Sequence, residues 1–180
     1  STIAAQVLLT KNTVLNDVSR KNVENTFNEL LQLGAVPIVN ENDSVSTYEI
    51  EQVQTFGDND RLSAIVASIL EADLLILLSD IDGMYTDDPN KNPEARFISQ
   101  VDNIDEKLEN MGKASSGSGV GTGGMAAKIA AAKIATASGA DMVITNGNNV
   151  ENIVSVIAGK DTGTLFLNHK SQDFDLMEWL

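Results

Sequence analysis

Short apolar runs alternate with amphipathic helical patterns along this chain, and that alternation leaves few folds open. The runs are AAQVLL at 4–9, AVPIV at 35–39, DLLILLS at 73–79, DMVIT at 141–145 and TLFL at 164–167. Between the first two, beyond some polar residues, Val23, Phe27, Leu30 and Leu31 recur at helical spacing, with Gly34 as a stop signal. Leu62, Ile65, Val66, Ile69 and Leu70 mark a second helix with one apolar face. An alanine-rich third helix is expected over about 124–138, stopped by Gly139, and a short fourth over 150–158. Strands that alternate with helices predict parallel crossover units and an α/β sandwich. DLLILLS reads as a parallel strand buried on both faces. The stretch after NENDS reads as polar and hairpin-like, and residues 84–124 as loop-rich, with Pro89, Pro93 and the tract SSGSGVGTGG.

At 180 residues, 42 % apolar and 21 % charged, the chain has the make-up of one globular domain. A net charge of −14 argues against nucleic acid or an anionic membrane as partner, and against any anionic substrate not met by local cations. The longest apolar runs, such as LLILL at 74–78, are far too short to cross a bilayer. With no cysteine there is no thiolate or disulfide chemistry, and the one histidine, His169, reads as a surface residue.

Ligands of parallel sheets collect beyond the carboxyl ends of the strands. NEND at 40–43, SDIDG at 79–83 and TNGNN at 145–149 follow three expected strands. FGDND at 56–60 opens the helix that leads into DLLILLS, so it belongs to the same rim. By themselves its Gly, Asp and Asn are also ordinary capping residues. GTGGMAAK at 121–128 is a glycine-rich turn before a helix, where backbone N–H groups and the helix end favour an anion. Lys128 falls near the first turn, whereas Lys133 lies roughly 140° around the helix and points elsewhere. The Lys-Ser/Thr pair of a Walker loop is missing.

Taken in order, NEND, FGDND, LLSDIDGMYTDDPN, GTGGMAAK and the later GTLF resemble the glutamate 5-kinase branch of the amino acid kinase family. The resemblance implies a three-layer αβα sandwich with a mainly parallel central sheet. It implies transfer of the ATP γ-phosphoryl group to the side-chain carboxylate of L-glutamate, as in the first step of proline biosynthesis. Mg2+ would arrive with ATP. Family members begin with a strand carrying a KxGSS-like phosphate loop with a catalytic lysine, and later a serine that helps hold glutamate. Neither occurs in this sequence, so residues 1–180 read as the C-terminal portion of a single kinase domain, inactive as a fragment and without the C-terminal accessory domain.

Residue by residue, Lys128 matches the lysine that stabilises the transition state, and Asp60 the aspartate that orients two catalytic lysines. Asp43 and Asn59 match amino-acid-binding positions, and an acceptor beside an amide donor suits an ammonium and a carboxylate. Asp58 either joins them or caps the helix. Ser79 and Asp80 match nucleotide contacts, as do Thr122, Gly123, Gly124, Met125, Ala126, Ala127 and Lys128. Asn40 and Asn42 read as shaping their loop, Tyr85 as packing, and TDDPN as a surface turn. A glutamate side chain, with pKa near ~4.3, is already ionised at neutral pH, so no general base is called for. The resemblance further implies feedback by proline, a homo-oligomer and a cytoplasmic location. Two other readings stay open: a kinase of acetylglutamate, aspartate, carbamate or UMP, and a non-catalytic ligand-binding module.

Overall fold

The computed structural model describes residues 2–46, 58–87, 89, 91–115 and 124–179. The elements run β1 (Ile3–Leu9), α1 (Lys11–Leu15), α2 (Asp17–Gln32), β2 (Ala35–Glu41), α3 (Asp43–Ser46), α4 (Asn59–Ile69) and β3 (Leu74–Ser79). There follow β4 (Met84–Tyr85), β5 (Phe97–Ile98), β6 (Gln100–Val101), α5 (Glu106–Ser115), α6 (Met125–Ser138), β7 (Asp141–Asn146), α7 (Glu151–Ile157) and β8 (Thr164–Phe166). A 3-10 turn, Leu176–Trp179, comes last. The protein is a mixed α/β structure with mainly parallel strands.

Caps explain why the first helices start where they do. Thr10 and Thr13 form a reciprocal box at α1, and Asn16 Oδ1 accepts from the Ser19 N–H at 2.9 Å to open α2. Val23 and Phe27 are the buried residues of α2, which packs on β2; burial of each stabilises the fold by roughly 1.5–3 kcal/mol. Leu31, from the same periodic pattern, is exposed at the last turn. Helix α6 is stopped by Gly139, whose φ of 110° lies in the left-handed region that suits glycine.

The strands form two sheets and a short antiparallel pair, β4–β5. One sheet is the parallel pair β1–β2, with Leu9 opposite Glu41. The other has the order β3-β7-β8-β6, in which β3–β7 and β6–β8 are parallel and β7–β8 antiparallel. Among the described residues β3 lies at the edge of its sheet, and the expectation that DLLILLS is buried on both faces is corrected by its exposure: Leu77 is buried, but Leu78 is exposed. The strand buried on both faces is β7, whose Met142, Val143, Ile144 and Thr145 are all buried. A cavity of about 650 Å3 lies between β1–β2, α4 and the Leu75 end of β3.

One expectation about the connecting segments needs correction, and another falls mostly outside the described residues. Residues 84–124 hold three short strands and α5, where Leu108 is buried and Asp105 Oδ1 caps the Leu108 N–H at 2.8 Å. That helix is only ten residues long, carries Gly112 inside it and is followed by a Ser/Gly tract, so its apolar positions Leu108 and Met111 span too few turns to stand out in sequence. After NEND the chain first makes the short α3, and the rest of the hairpin-like stretch, 47–57, lies outside the described residues.

Candidate active site

Helices α4 and α6 pack side by side, each leading into a strand, β3 and β7, of one parallel pair. A crossover helix runs antiparallel to the strand it feeds, so both N-termini lie at the carboxyl edge of that sheet. Asp60 is in the first turn of α4 and Lys128 near the start of α6. Lys128 Nζ donates to Asp60 Oδ2 at 2.9 Å, with the lysine buried and the aspartate mostly so. Residues 68 apart in sequence thus meet across the helix pair.

An ammonium at a helix N-terminus opposes the helix dipole, whereas a carboxylate there is favoured. Asp60 neutralises one charge, but two helix ends, each worth roughly +0.5 of a charge, still face the rim. Asp58, Asp80 and Asp82 stand at the same rim, so in a chain of net charge −14 it is the backbone N–H groups at the start of α6, not a surplus of side-chain charge, that can meet an anion. Gly124 caps α6 with no side-chain hydrogen bond, since it has no side chain to offer to the first N–H groups of the helix. Thr122 and Gly123 lie outside the described residues.

The pentapeptide at 56–60 divides its tasks. Asp58 Oδ1 accepts from the Arg61 N–H at 2.8 Å and caps α4, while Asp60 reaches across to Lys128. Phe56 and Gly57 lie outside the described residues. Asn59 is exposed and lines the 650 Å3 cavity together with Gln6, Asn40 and Ser63. Asn40 also accepts from its neighbour's N–H at Glu41, 2.9 Å away, so it shapes the loop as expected and faces the cavity as well. Asp43 opens α3, exposed, and is not among the described residues lining that cavity.

At the carboxyl end of β3, Ser79 Oγ donates to Asp80 Oδ1 at 3.1 Å. Tyr85 packs edge-on against Phe97, with ring centroids 5.2 Å apart. Lys133 pairs with Glu109 of α5, away from Lys128. His169 is exposed. Two cations that the sequence reading passed over sit near the rim. Partial burial first, and the Arg61 guanidinium second, hold the Lys11 ammonium below the ordinary lysine range. Arg61 itself donates to the carbonyl of Trp179.

The sequence profile described as the amino acid kinase family matches residues 3–146. The chain belongs to the amino acid kinase family. Among curated relatives, the glutamate 5-kinase of Clostridium perfringens (strain 13 / Type A) is 46 % identical over 172 residues, 96 % of this chain and 64 % of that protein. That of Enterococcus faecalis is 47 % identical over 163 residues, 91 % of this chain and 60 % of that protein. The chain thus spans about three fifths of these relatives' length, 60 to 64 %. In fold it is similar to the UMP kinase of Bacillus anthracis (TM-score 0.58, 14 % identity, 93 % of this chain and 59 % of that one). It is likewise similar to the isopentenyl phosphate kinase of T. acidophilum (TM-score 0.56, 19 % identity, 92 % and 60 %).

Proposed function

We propose that the protein carrying this chain transfers the γ-phosphoryl group of ATP to the side-chain carboxylate of L-glutamate, forming L-glutamyl 5-phosphate. The observation that carries the reading is the Lys128–Asp60 pair, 2.9 Å apart where two helix N-termini meet. Identity of 46 % to a glutamate 5-kinase supports glutamate as acceptor; likeness to a UMP kinase at 14 % identity supports only the fold.

In this reading the acceptor is ionised at neutral pH, and the barrier is repulsion between two anions. Catalysis is then positioning plus charge neutralisation. Lys128 places its ammonium against the transferring group, and Asp60 keeps that ammonium aimed. The nucleotide lies along Thr122, Gly123, Gly124, Met125, Ala126, Ala127 and Lys128, with Ser79 and Asp80 at the end of β3. Mg2+ enters with ATP and neutralises the phosphates. Asn59 donates to the amino acid from the cavity wall and Asp43 accepts from its ammonium, while Asp58 serves the helix as its cap. Production of glutamyl phosphate for proline biosynthesis, feedback by proline at the amino-acid site, homo-oligomerisation and a cytoplasmic location complete the proposal.

The test is ADP release from MgATP with glutamate, acetylglutamate, aspartate, carbamate and UMP offered singly. Glutamate alone is expected to drive turnover. Turnover with another acceptor and none with glutamate overturns the assignment.

A further inference from the structure

The segment TNGNN ends β7 and turns away from it at the same rim, and the reaction as proposed gives it no task. Ser79 and Asn146 are register partners at the ends of β3 and β7. Just past that pair, the Gly147 N–H donates to the Ser79 carbonyl at 2.7 Å, and Asn146 Nδ2 donates to Asp82 Oδ1 at 2.8 Å. The last residue of β7 and the one after it therefore fasten both ends of the segment 79–82, with Asp80 held between them.

Asn146 is itself fixed. Its Oδ1 accepts from the Asn148 N–H and its carbonyl from Asn152 Nδ2, each at 2.9 Å. Because Oδ1 is taken by a backbone donor, the amide has one orientation, and Nδ2 is left to face Asp82. Gly147 permits the close approach: a Cβ there would stand 3.1 Å from Leu78 Cβ and 3.5 Å from the Ser79 carbonyl oxygen. A side chain at 147 would need Leu78 to give by a few tenths of an ångström.

The geometry points to Asn146 and Gly147 as positioning residues for the nucleotide-binding end of β3, a role that rests on the phosphotransfer reading above. Held at both ends, the Ser79–Asp80 pair is ordered before a nucleotide arrives. With the side-chain tether cut, the segment samples other conformations, and apparent affinity falls by the fraction of time the competent one is lost. The amino-acid cavity, on β1, β2 and α4, shares none of these bonds.

The test uses the active enzyme, titrated with Mg-ADP by calorimetry and followed by steady-state kinetics. Asn146→Ala and Asp82→Ala are each expected to raise the ADP Kd and the ATP KM about three- to tenfold, the worth of one solvent-exposed hydrogen bond. The KM for glutamate and kcat at saturating ATP stay within about twofold, as for a site whose contacts are intact once ordered. The double variant is no worse than either single one, because both remove the same bond. Asp82→Asn keeps an acceptor oxygen for Asn146 and restores near-normal affinity. Unmoved nucleotide affinity in Asn146→Ala, additive losses in the double variant, or an equal rise in the glutamate KM overturns the positioning role. Should Asn146→Ala not fold, the exposed Asp82 decides: weakening by Ala but not by Asn supports the role, and equal weakening by both overturns it. A wild-type protein that binds no nucleotide refutes the phosphotransfer reading itself, whereas normal wild-type binding with unmoved variants refutes only this inference.

Discussion

Replacing Asp60 by asparagine removes a charge while keeping size and an oxygen that can accept from Lys128. The cap of α4 is not disturbed, because Asp58 supplies it. Stability should therefore fall by only about 1–2 kcal/mol, the difference between a charged and a neutral hydrogen bond. Turnover should fall roughly 100-fold, since a lysine held less firmly is misplaced at the moment of transfer. The check is kcat at saturating substrates and melting temperature on one preparation; unchanged turnover would leave Asp60 a structural partner only. Lys128→Ala should cost about 100- to 1000-fold in turnover with little change in the ATP KM. It should also be tolerated by the fold, because Asp60 left alone still sits at a favourable helix end. A variant that keeps half the wild-type turnover would take Lys128 out of the chemistry.

The distance between Lys128 and Asp60 is set by how closely α4 and α6 approach. Both helices bury small residues, Ala64 of α4 and Ala131, Ala132 and Ala135 of α6, all fully buried, and small buried side chains let packed helices come close. Ala131→Leu forces extra methylenes into a closed space and should destabilise the protein by about 1–3 kcal/mol. For a chain of this size that is a loss of roughly 3–10 °C in Tm. Turnover should drop along with it, as the helices part and the ion pair lengthens. A thermal melt and kcat on the same variant decide the matter. Lowered Tm with normal kcat would mean that side-chain flexibility, not helix spacing, sets the pair.

At the scale of the molecule, the chain after β8 ties its parts together. The His169 N–H donates to the Thr136 carbonyl at 3.1 Å and the Ser171 N–H to the Ala137 carbonyl at 3.0 Å, so the tail starts at the end of α6. It finishes against two other helices: Arg20 of α2 donates to Met177 Sδ at 3.3 Å, and Arg61 of α4 to the Trp179 carbonyl. Phe174 and Trp179 stack with centroids 6.4 Å apart. Trp179 is the one tryptophan in the sequence, so its emission reports on the docked tail. Arg61→Ala should shift that emission to the red and lower Tm, by up to about 3 kcal/mol in stability if the tail leaves with its apolar contacts. An unshifted spectrum would show that the apolar contacts hold the tail without Arg61.

What the sequence determined by itself is local. Periodicity located β1, α2, β2, α4, β3, α6, β7, α7 and β8, because burial of one face repeats at the period of the element that carries it. The stops at Gly34 and Gly139 were legible for the same reason: backbone conformation at a helix end is a property of a few neighbouring residues. Helix α5 was not, since it spans only ten residues, includes a glycine and runs into a Ser/Gly tract, so its period repeats too few times to be read. Motif order brought Asp60 and Lys128 into one expectation, yet only the packing of α4 on α6 put Nζ and Oδ2 2.9 Å apart. Likewise nothing local separates Asp58 from Asp60 within FGDND. One residue precedes the first helical turn and the other lies inside it, and that offset of two positions, about 200° around a helix, gave one carboxylate to the backbone and the other to a lysine on a distant segment. The pairing of Asn146 with Asp82, and of Arg61 with the tail, was beyond reach in the same way, because hydrogen bonds between loops depend on which strands become neighbours, and that is decided by the whole fold.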